Sequence, residues 1–372
     1  MRLNQIEENT CGKRNIRLFD FLEYIKKINL FLLIVLVFAF NDKKLILYPV
    51  KILYIFFMGI NFIMHKIKLQ WCIVWSYLFI LLNLVSLFWS SMEYDIFYNL
   101  IWILQAILIF SLTTINLNSK DDLEYIMKCF IIGNSVLAIR LIMVTPIQLW
   151  GTMRIGSIVG YNPNVIGIQL IFGIISSMYF LITNKPRRKI ILILINVLFF
   201  ALILFSGSRK SLLALLIGFL VYFLIRNKEN TKKIFIFLFL LPLIFAGIGY
   251  LIFKVDIFYN VIGNRLETLI DVLKGEADNI RISMIKEGIR LFINKPIFGN
   301  GIDAFTRLSG FETYSHNNYI EILVNYGLIG FIIYYSIYFY IIVKLLYKIK
   351  FKNSVFYISI VLILLFLDIG VV

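Results

Sequence analysis

The chain passes from its longest polar segment into a hydrophobic one at residues 315–330, which read SHNNYIEILVNYGLIG. The polar segment covers residues 254–316, and the sequence before it consists of apolar blocks separated by short polar turns. His316 lies at the boundary between the two. This arrangement predicts a membrane protein with one long polar loop, and it makes the boundary at His316 a candidate functional site.

The composition also indicates a membrane protein. The 372 residues are 60% hydrophobic and 16% charged, whereas soluble domains are about 45–50% apolar and about 25% charged. The apolar blocks have the length of roughly 20 residues that crosses a ~30 Å hydrocarbon core. Backbone polar groups must be paired within such a segment in lipid, so we predict an all-α polytopic membrane fold. About eleven transmembrane helices are expected, at residues 28–40, 45–64, 69–89, 96–116, 123–144, 163–183, 190–205, 211–225, 234–253, 317–343 and 354–372.

Lysine and arginine counts predict the orientation of these helices. With the N-terminus inside, the inner segments carry 21 basic residues and the short outer loops carry five. Because cytoplasmic loops are enriched in Lys and Arg, the N-terminus is expected in the cytoplasm, and Arg154, Arg209 and the long loop outside. The net charge of +16 has the same explanation, so we expect no nucleic acid partner. The predicted parts are a cytoplasmic segment (1–27), nine transmembrane helices (28–253), an extracytoplasmic loop (254–316) and two transmembrane helices (317–372).

The long loop contains a predicted amphipathic helix. It carries eight basic and eight acidic residues, so its net charge is near zero. Isoleucines recur at helical spacing at positions 280, 282, 285, 289 and 293. The sequence Asn294-Lys295-Pro296 ends this helix, and Gly299-Asn300-Gly301 turns the chain. A helix with this pattern is expected to lie flat on the outer surface, with short helices of the loop covering the spans.

A short polar turn, SGSRKS at residues 206–211, separates two apolar blocks. Gly and Ser allow a tight turn, and Ser211 can cap the helix that follows. Backbone amides at a helix N-terminus, together with the cations Arg209 and Lys210, are typical of an anion site. The alternative is an arginine that snorkels at the membrane interface, but two adjacent cations on the side depleted in them favour the anion site.

The outer loop before the sixth span contains Arg154 and the sequence GYNPN at residues 160–164. Pro163 starts the next helix. Asn162 can contact sugar hydroxyls, and Arg154 can add positive charge to an anion site. Ordinary helix capping is the alternative for Asn162, and the residues alone favour it.

His316 is one of two histidines in the chain. An imidazole titrates near neutral pH, so His316 can accept a proton from a hydroxyl group. Asn317 and Tyr319 supply hydrogen-bonding and stacking groups of the kind found in sugar sites. A lone histidine is more often structural, and the residues alone leave that alternative open.

These motifs together resemble a known family. Arg154 with GYNPN, then SGSR at 206–209, then PIFGNG at 296–301 with SHNNY at 315–319, occur in the order and spacing of that family. The chain resembles the O-antigen ligase and O-antigen polymerase family of bacterial cell-envelope enzymes over about residues 140–345. The segment from 296 to 330 is the most specific part of this resemblance.

The resemblance implies an inverting glycosyltransferase in the bacterial cytoplasmic (inner) membrane that requires no metal or nucleotide cofactor. The implied partners are an undecaprenyl-diphosphate-linked oligosaccharide, a glycan or lipid acceptor, membrane lipid and other polysaccharide-assembly proteins. By matching motifs, Arg209 is the family's essential arginine and His316 its histidine at the end of the outer loop. Lys210 and one or more of Arg154, Arg281 and Arg290 are expected to help bind the donor diphosphate. Family members usually continue past the last span, so a chain truncated at its C-terminus is also expected.

Three functions follow as alternatives. We favour a polymerase that joins repeat units into surface polysaccharide. A ligase would transfer the finished glycan to lipid A core or protein instead. A non-enzymatic glycolipid flippase is the third, but a transport pathway needs ionisable residues at mid-membrane depth. The spans here offer mainly Asn83, Gln105, Asn134, Gln169 and Asn196, while the charges cluster in the outer loops, which favours an enzyme.

Overall fold

The computed structural model describes residues 23–40, 44–64, 71–90, 94–117, 119–157, 160–183, 186–274, 280–348 and 352–369, and over this part of the chain the fold is all-helical. The helices are α1 (23–39), α2 (Lys44–Met64), α3 (Trp71–Ser86), α4 (Tyr94–Asn116), α5 (Lys120–Val144), α6 (Pro163–Thr183), α7 (Pro186–Ser206), α8 (Arg209–Arg226), α9 (Thr231–Lys254), α10 (Asp256–Phe258), α11 (Asn264–Lys274), α12 (Ile280–Asn294), α13 (Ala304–Leu308), α14 (Asn318–Tyr347) and α15 (Lys352–Leu367).

Seven segments within the described residues are long and apolar enough to cross a membrane. They lie at Trp71–Trp89, Ile96–Asn116, Lys120–Val144, Pro163–Leu181, Lys189–Ser206, Thr231–Lys254 and Asn318–Tyr347, and shorter apolar helices lie at Leu47–Ile60 and Phe356–Leu367. The protein is therefore an all-α, multi-pass membrane protein, as the sequence predicts. Each of the eleven predicted blocks coincides with a helix, whereas the count of about eleven spans stays a prediction.

The main core surrounds α6, which packs against α5, α7 and α8. Ile166 and Leu170 of α6 and Phe199 of α7 are fully buried in it. Helix α15 packs against α8, where a Cβ on Gly218 would lie 2.2 Å from Ile363 Cδ1. A small residue at this point lets the two helices approach closely, as is common between membrane helices.

Helix α14 is broken at Gly327, which has φ 63° and ψ −162°. Residues 296–301 fill the break through backbone hydrogen bonds. The amides of Asn300 and Gly301 donate to the carbonyls of Val324 and Asn325 at 2.9 and 2.8 Å. Beyond the break, the amide of Leu328 donates to the Pro296 carbonyl at 2.8 Å. These contacts pair backbone groups that the break releases from the helix, and they place the PIFGNG motif against α14.

The amphipathic helix in the loop is confirmed as α12, but its buried face differs from the isoleucine stripe. Met284, Gly288 and Leu291 are the buried residues of α12, whereas Ile289 and Ile293 are 45% and 65% exposed. The reason is that Gly288 has no side chain, since an added Cβ there would lie 2.2 Å from the side chain of Ile320 on α14. The helix therefore docks on α14 through its glycine side, and it leaves Ile280, Ile289 and Ile293 exposed.

Candidate active site

The polar turn at residues 206–211 brings two cations to the first turn of α8. Gly207 has φ 59°, and a Cβ there would lie 2.7 Å from the Val261 carbonyl oxygen, so the turn requires glycine. Ser208 caps α8, since its Oγ accepts a hydrogen bond from the Ser211 amide at 3.4 Å. The capping residue is thus Ser208, and not Ser211 as the sequence indicated. Arg209 and Lys210 follow directly as the first two residues of α8.

Arg154 joins this turn from the preceding outer loop. Its Nε donates to the Ser206 carbonyl at 2.7 Å, and its Nη2 donates to Asn164 Oδ1 at 2.8 Å. The Ile155 amide donates to the Phe205 carbonyl at 2.9 Å, which ties the loop to the end of α7. These hydrogen bonds hold Arg154 beside the start of α8, although the two lie far apart in the sequence.

Four arginines converge beyond this turn. Arg209 donates a hydrogen bond from Nη1 to the carbonyl oxygen of Arg265, at the start of α11. Burial, together with the smaller effect of the charges of Arg265 and Arg281, lowers the pKa of both Arg154 and Arg209 to about 10. The pKa of Arg265 is lowered by burial and by Arg281. Half-buried guanidinium groups that repel one another form a site that a bound anion would stabilise.

His316 lies in a separate cavity of about 320 Å³ next to this cluster. Its backbone has φ 57°, and the ring of Tyr314 lies 4.1 Å from its own ring, centroid to centroid. Burial lowers the pKa of His316 below its ordinary value, and the charges of Arg281 and Lys210 add to that effect. The imidazole is therefore neutral at pH 7 and able to accept a proton. Arg281 acts on both Arg209 and His316, so it links the two halves of the site electrostatically.

Residues 194–335 match the family model described as O-Antigen ligase (Wzy_C). This segment of the chain is similar to the O-antigen ligase family. Members of this family are glycosyltransferase-like enzymes of polysaccharide assembly, and the family implies lipid-linked glycans and membrane lipid as substrates. Searches of curated proteins and of solved structures returned no match. The matched segment contains Arg209, Arg265, Arg281 and His316, while Arg154 precedes it.

Two of the residues predicted for the candidate site make structural contacts. Asn162 is exposed, and its Oδ1 accepts from the Asn164 amide at 2.9 Å at the start of α6, which matches the capping alternative. Arg290 is exposed and donates from Nε to Glu287 Oε2 at 2.8 Å. Glu287 raises the pKa of Arg290 through this hydrogen bond and its negative charge. The side chains of Asn162 and Arg290 are therefore engaged in contacts with residues near them in the sequence.

The two polar residues after His316 hold the start of α14 in place. Asn317 is the N-cap of α14, and its Oδ1 accepts from the amides of Tyr319 and Ile320 at 3.0 and 3.3 Å. The hydroxyl of Tyr319 donates to the Leu365 carbonyl of α15 at 2.9 Å. The side chain of Asn317 lines the His316 cavity, whereas Tyr319 is not among the residues that line it.

Sequence reasoning missed Arg265. It was one of eight basic residues of the loop, and no local motif distinguishes it from the others. Its position beside Arg209 follows from a π-helical turn at Tyr259–Gly263, which packs against the ends of α7 and α9 and leads directly into α11. Only the packing of these distant elements selects Arg265 from the other cations of the loop.

Proposed function

We propose that this protein is a membrane glycosyltransferase that polymerises undecaprenyl-diphosphate-linked oligosaccharide repeat units into surface polysaccharide. The match of residues 194–335 to the O-antigen ligase model supports a role in polysaccharide assembly. The observation that carries the finer proposal is the cluster of four arginines beside a neutral histidine. In this proposal the protein lies in the bacterial cytoplasmic membrane with a cytoplasmic N-terminus, and residues 254–316 lie outside.

The arginine cluster would bind the donor diphosphate. A diphosphate carries several negative charges, and it becomes the leaving group when the glycosidic bond to the lipid carrier breaks. Guanidinium groups bind phosphate oxygens with two parallel hydrogen bonds. Arg154, Arg209, Arg265 and Arg281, together with Lys210, would stabilise the charge that develops on this group in the transition state.

His316 would act as the general base. The acceptor hydroxyl oxygen attacks the anomeric carbon as the bond from that carbon to the diphosphate oxygen breaks. The proton of the hydroxyl passes to the neutral imidazole, and the lipid diphosphate leaves with the electron pair. In-line attack inverts the anomeric configuration, and a general base contributes on the order of 10²–10⁴ to the rate.

The flippase alternative is less well supported by the polar residues of the described spans. Asn83 donates to the Phe79 carbonyl at 2.7 Å and accepts from the Tyr326 hydroxyl at 2.6 Å. Asn134 donates to the Phe130 carbonyl of its own helix at 2.9 Å. Both amides are buried, and Asn83 joins α3 to α14 through Tyr326, which is typical of packing between helices and not of a transport pathway.

Transfer of glycan from the lipid-linked repeat unit, measured with purified protein in membranes, tests the proposal. Arg209→Ala and His316→Ala should each abolish product while the abundance of the protein in the membrane stays normal. If either variant forms as much product as the wild-type protein, the residue it replaces has no catalytic role. A gene knockout followed by gel profiling separates the alternatives, since a lost chain-length ladder with single repeats retained indicates a polymerase. Complete lipid-linked chains that never reach an acceptor indicate a ligase, and donor trapped in the inner leaflet indicates a flippase.

A further inference from the structure

A second cavity adjoins the His316 cavity and has no role in the mechanism above. Its volume is about 600 Å³, within the range of about 300–1,000 Å³ usual for small-molecule sites. Four residues line both cavities, and they are Tyr314, Asn318, Glu321 and Tyr334. Whatever occupies the larger cavity therefore lies against the same wall as His316.

Aromatic rings form one side of the larger cavity. Trp102 and Tyr98 lie one turn apart on α4, with ring centroids 5.9 Å apart and ring planes at 73°. The ammonium of Lys51 on α2 lies 4.5 Å from the Trp102 ring centroid, which holds the ring in place. Tyr314 contributes a further ring at the wall shared with His316. Flat aromatic surfaces of this kind pack against the apolar C–H face of a pyranose ring.

Two carboxylates face the same cavity and are positioned by hydrogen bonds. Asp303 accepts from Asn99 Nδ2 and from Thr306 Oγ1, both at 2.9 Å. Glu321 accepts from the Ser315 amide at 2.7 Å and from Asn325 Nδ2 at 3.3 Å. A carboxylate has about four acceptor positions, so each retains capacity for the hydroxyl groups of a ligand.

The backbone at Asp303 is unusual in the same way as that at His316. Asp303 has φ 56° and His316 has φ 57°, and among the described residues only Glu312 is another non-glycine residue with positive φ. Such a conformation is strained for a non-glycine residue and is found most often where a site requires it. Each of the two cavities is thus lined by one residue held in this conformation.

The charges of the two regions favour different ligands. The arginine cluster and Lys210 attract an anion, whereas Asp303 and Glu321 repel one and accept hydrogen bonds from hydroxyl groups. We propose that the cavity lined by Trp102 and Asp303 binds the terminal sugar of the acceptor glycan. A hydroxyl of that sugar would reach His316 at the boundary where the two cavities meet. This assignment rests on the proposed glycosyltransferase function. Because Tyr98, Asn99 and Trp102 precede the family-matched segment, α4 would determine which sugar is accepted.

Binding of an acceptor without a diphosphate tests this site independently of catalysis. The probe is the repeat-unit oligosaccharide released from its lipid by mild acid, and binding to nanodisc-embedded protein is measured by saturation-transfer NMR. We expect Trp102→Ala to weaken binding at least tenfold, and Asp303→Asn, which preserves side-chain shape, at least threefold. Trp71→Ala is the matched control, because Trp71 packs against Tyr340 away from both cavities, and it should bind as wild type does. A monodisperse size-exclusion peak shows that each variant is folded.

The outcomes separate this site from the function on which it rests. Arg209→Ala should abolish transfer yet bind the free oligosaccharide normally, since the probe carries no diphosphate. Oligosaccharide binding that is retained at the wild-type level in both Trp102→Ala and Asp303→Asn would overturn the acceptor site, whatever the result for Arg209→Ala. Absence of binding to wild type, with transfer intact, would also overturn it and leave the proposed function standing. Full transfer by Arg209→Ala and by His316→Ala would instead refute the proposed function, whatever the binding result.

Discussion

The break in α14 at Gly327 provides a test of how the end of this helix near His316 is built. Gly327 has φ 63° and ψ −162°, a combination essentially confined to glycine. A Cβ added there would lie 2.4 Å from the Ile297 carbonyl oxygen and 2.7 Å from the Gly299 amide nitrogen. Gly327→Ala therefore requires a strained backbone and a displacement of residues 296–299.

The destabilisation has two contributions. A non-glycine residue in this conformation costs about 1–3 kcal/mol. Displacing residues 296–299 breaks the hydrogen bonds from the Leu328 amide to the Pro296 carbonyl and from the Ile329 amide to the Ile297 carbonyl. Each of these is worth about 0.5–1.5 kcal/mol. We therefore expect Gly327→Ala to lower the free energy of unfolding by about 2–6 kcal/mol.

Thermal unfolding in detergent, followed by size-exclusion chromatography of the heated protein, measures this effect. Gly247→Ala in α9 is the matched control, because it is helical and nothing lies within 4 Å of its added Cβ. The control should keep the wild-type Tm or exceed it, since alanine favours a helix by about 1 kcal/mol over glycine. A wild-type Tm for Gly327→Ala would refute the view that residues 296–301 are locked into the break.

Two further predictions concern the site. Because burial and the charges of Arg281 and Lys210 lower the pKa of His316, kcat/KM should hold steady as pH falls from 7 and decline only below about 6.5, the ordinary value. Arg281→Gln removes a positive neighbour, so it should raise the pKa of His316 and move this decline to higher pH; a decline that stays in place in the variant contradicts the assignment. Arg265→Ala should reduce kcat by about 10²–10³, as for the loss of one transition-state donor, while Arg290→Ala, exposed and paired with Glu287, should change kcat by less than about twofold. The assay is glycan transfer at saturating donor, and equal losses of kcat in Arg265→Ala and Arg290→Ala would show that the arginine cluster is misassigned.

The sequence by itself determined the helical membrane fold. The lengths of the apolar blocks select helices, because a backbone in lipid must pair its own polar groups. The turn at SGSRKS and the end of α12 at Asn294-Lys295-Pro296 were also predicted from sequence, because turn and helix-ending residues act on their immediate neighbours. Residues with a local role, such as the capping residue Asn162, were also open to correct interpretation.

The tertiary structure alone decided which residues meet. Arg265 joins Arg209 because a π-helical turn between α10 and α11 packs against α7 and α9. Trp102 of α4 and Asp303 beside α13 line one cavity although about 200 residues of chain separate them. The face that α12 buries was likewise set by Gly288 against Ile320 and not by its isoleucines. These contacts depend on side-chain volume and helix packing between distant segments, which no local pattern of hydrophobicity records.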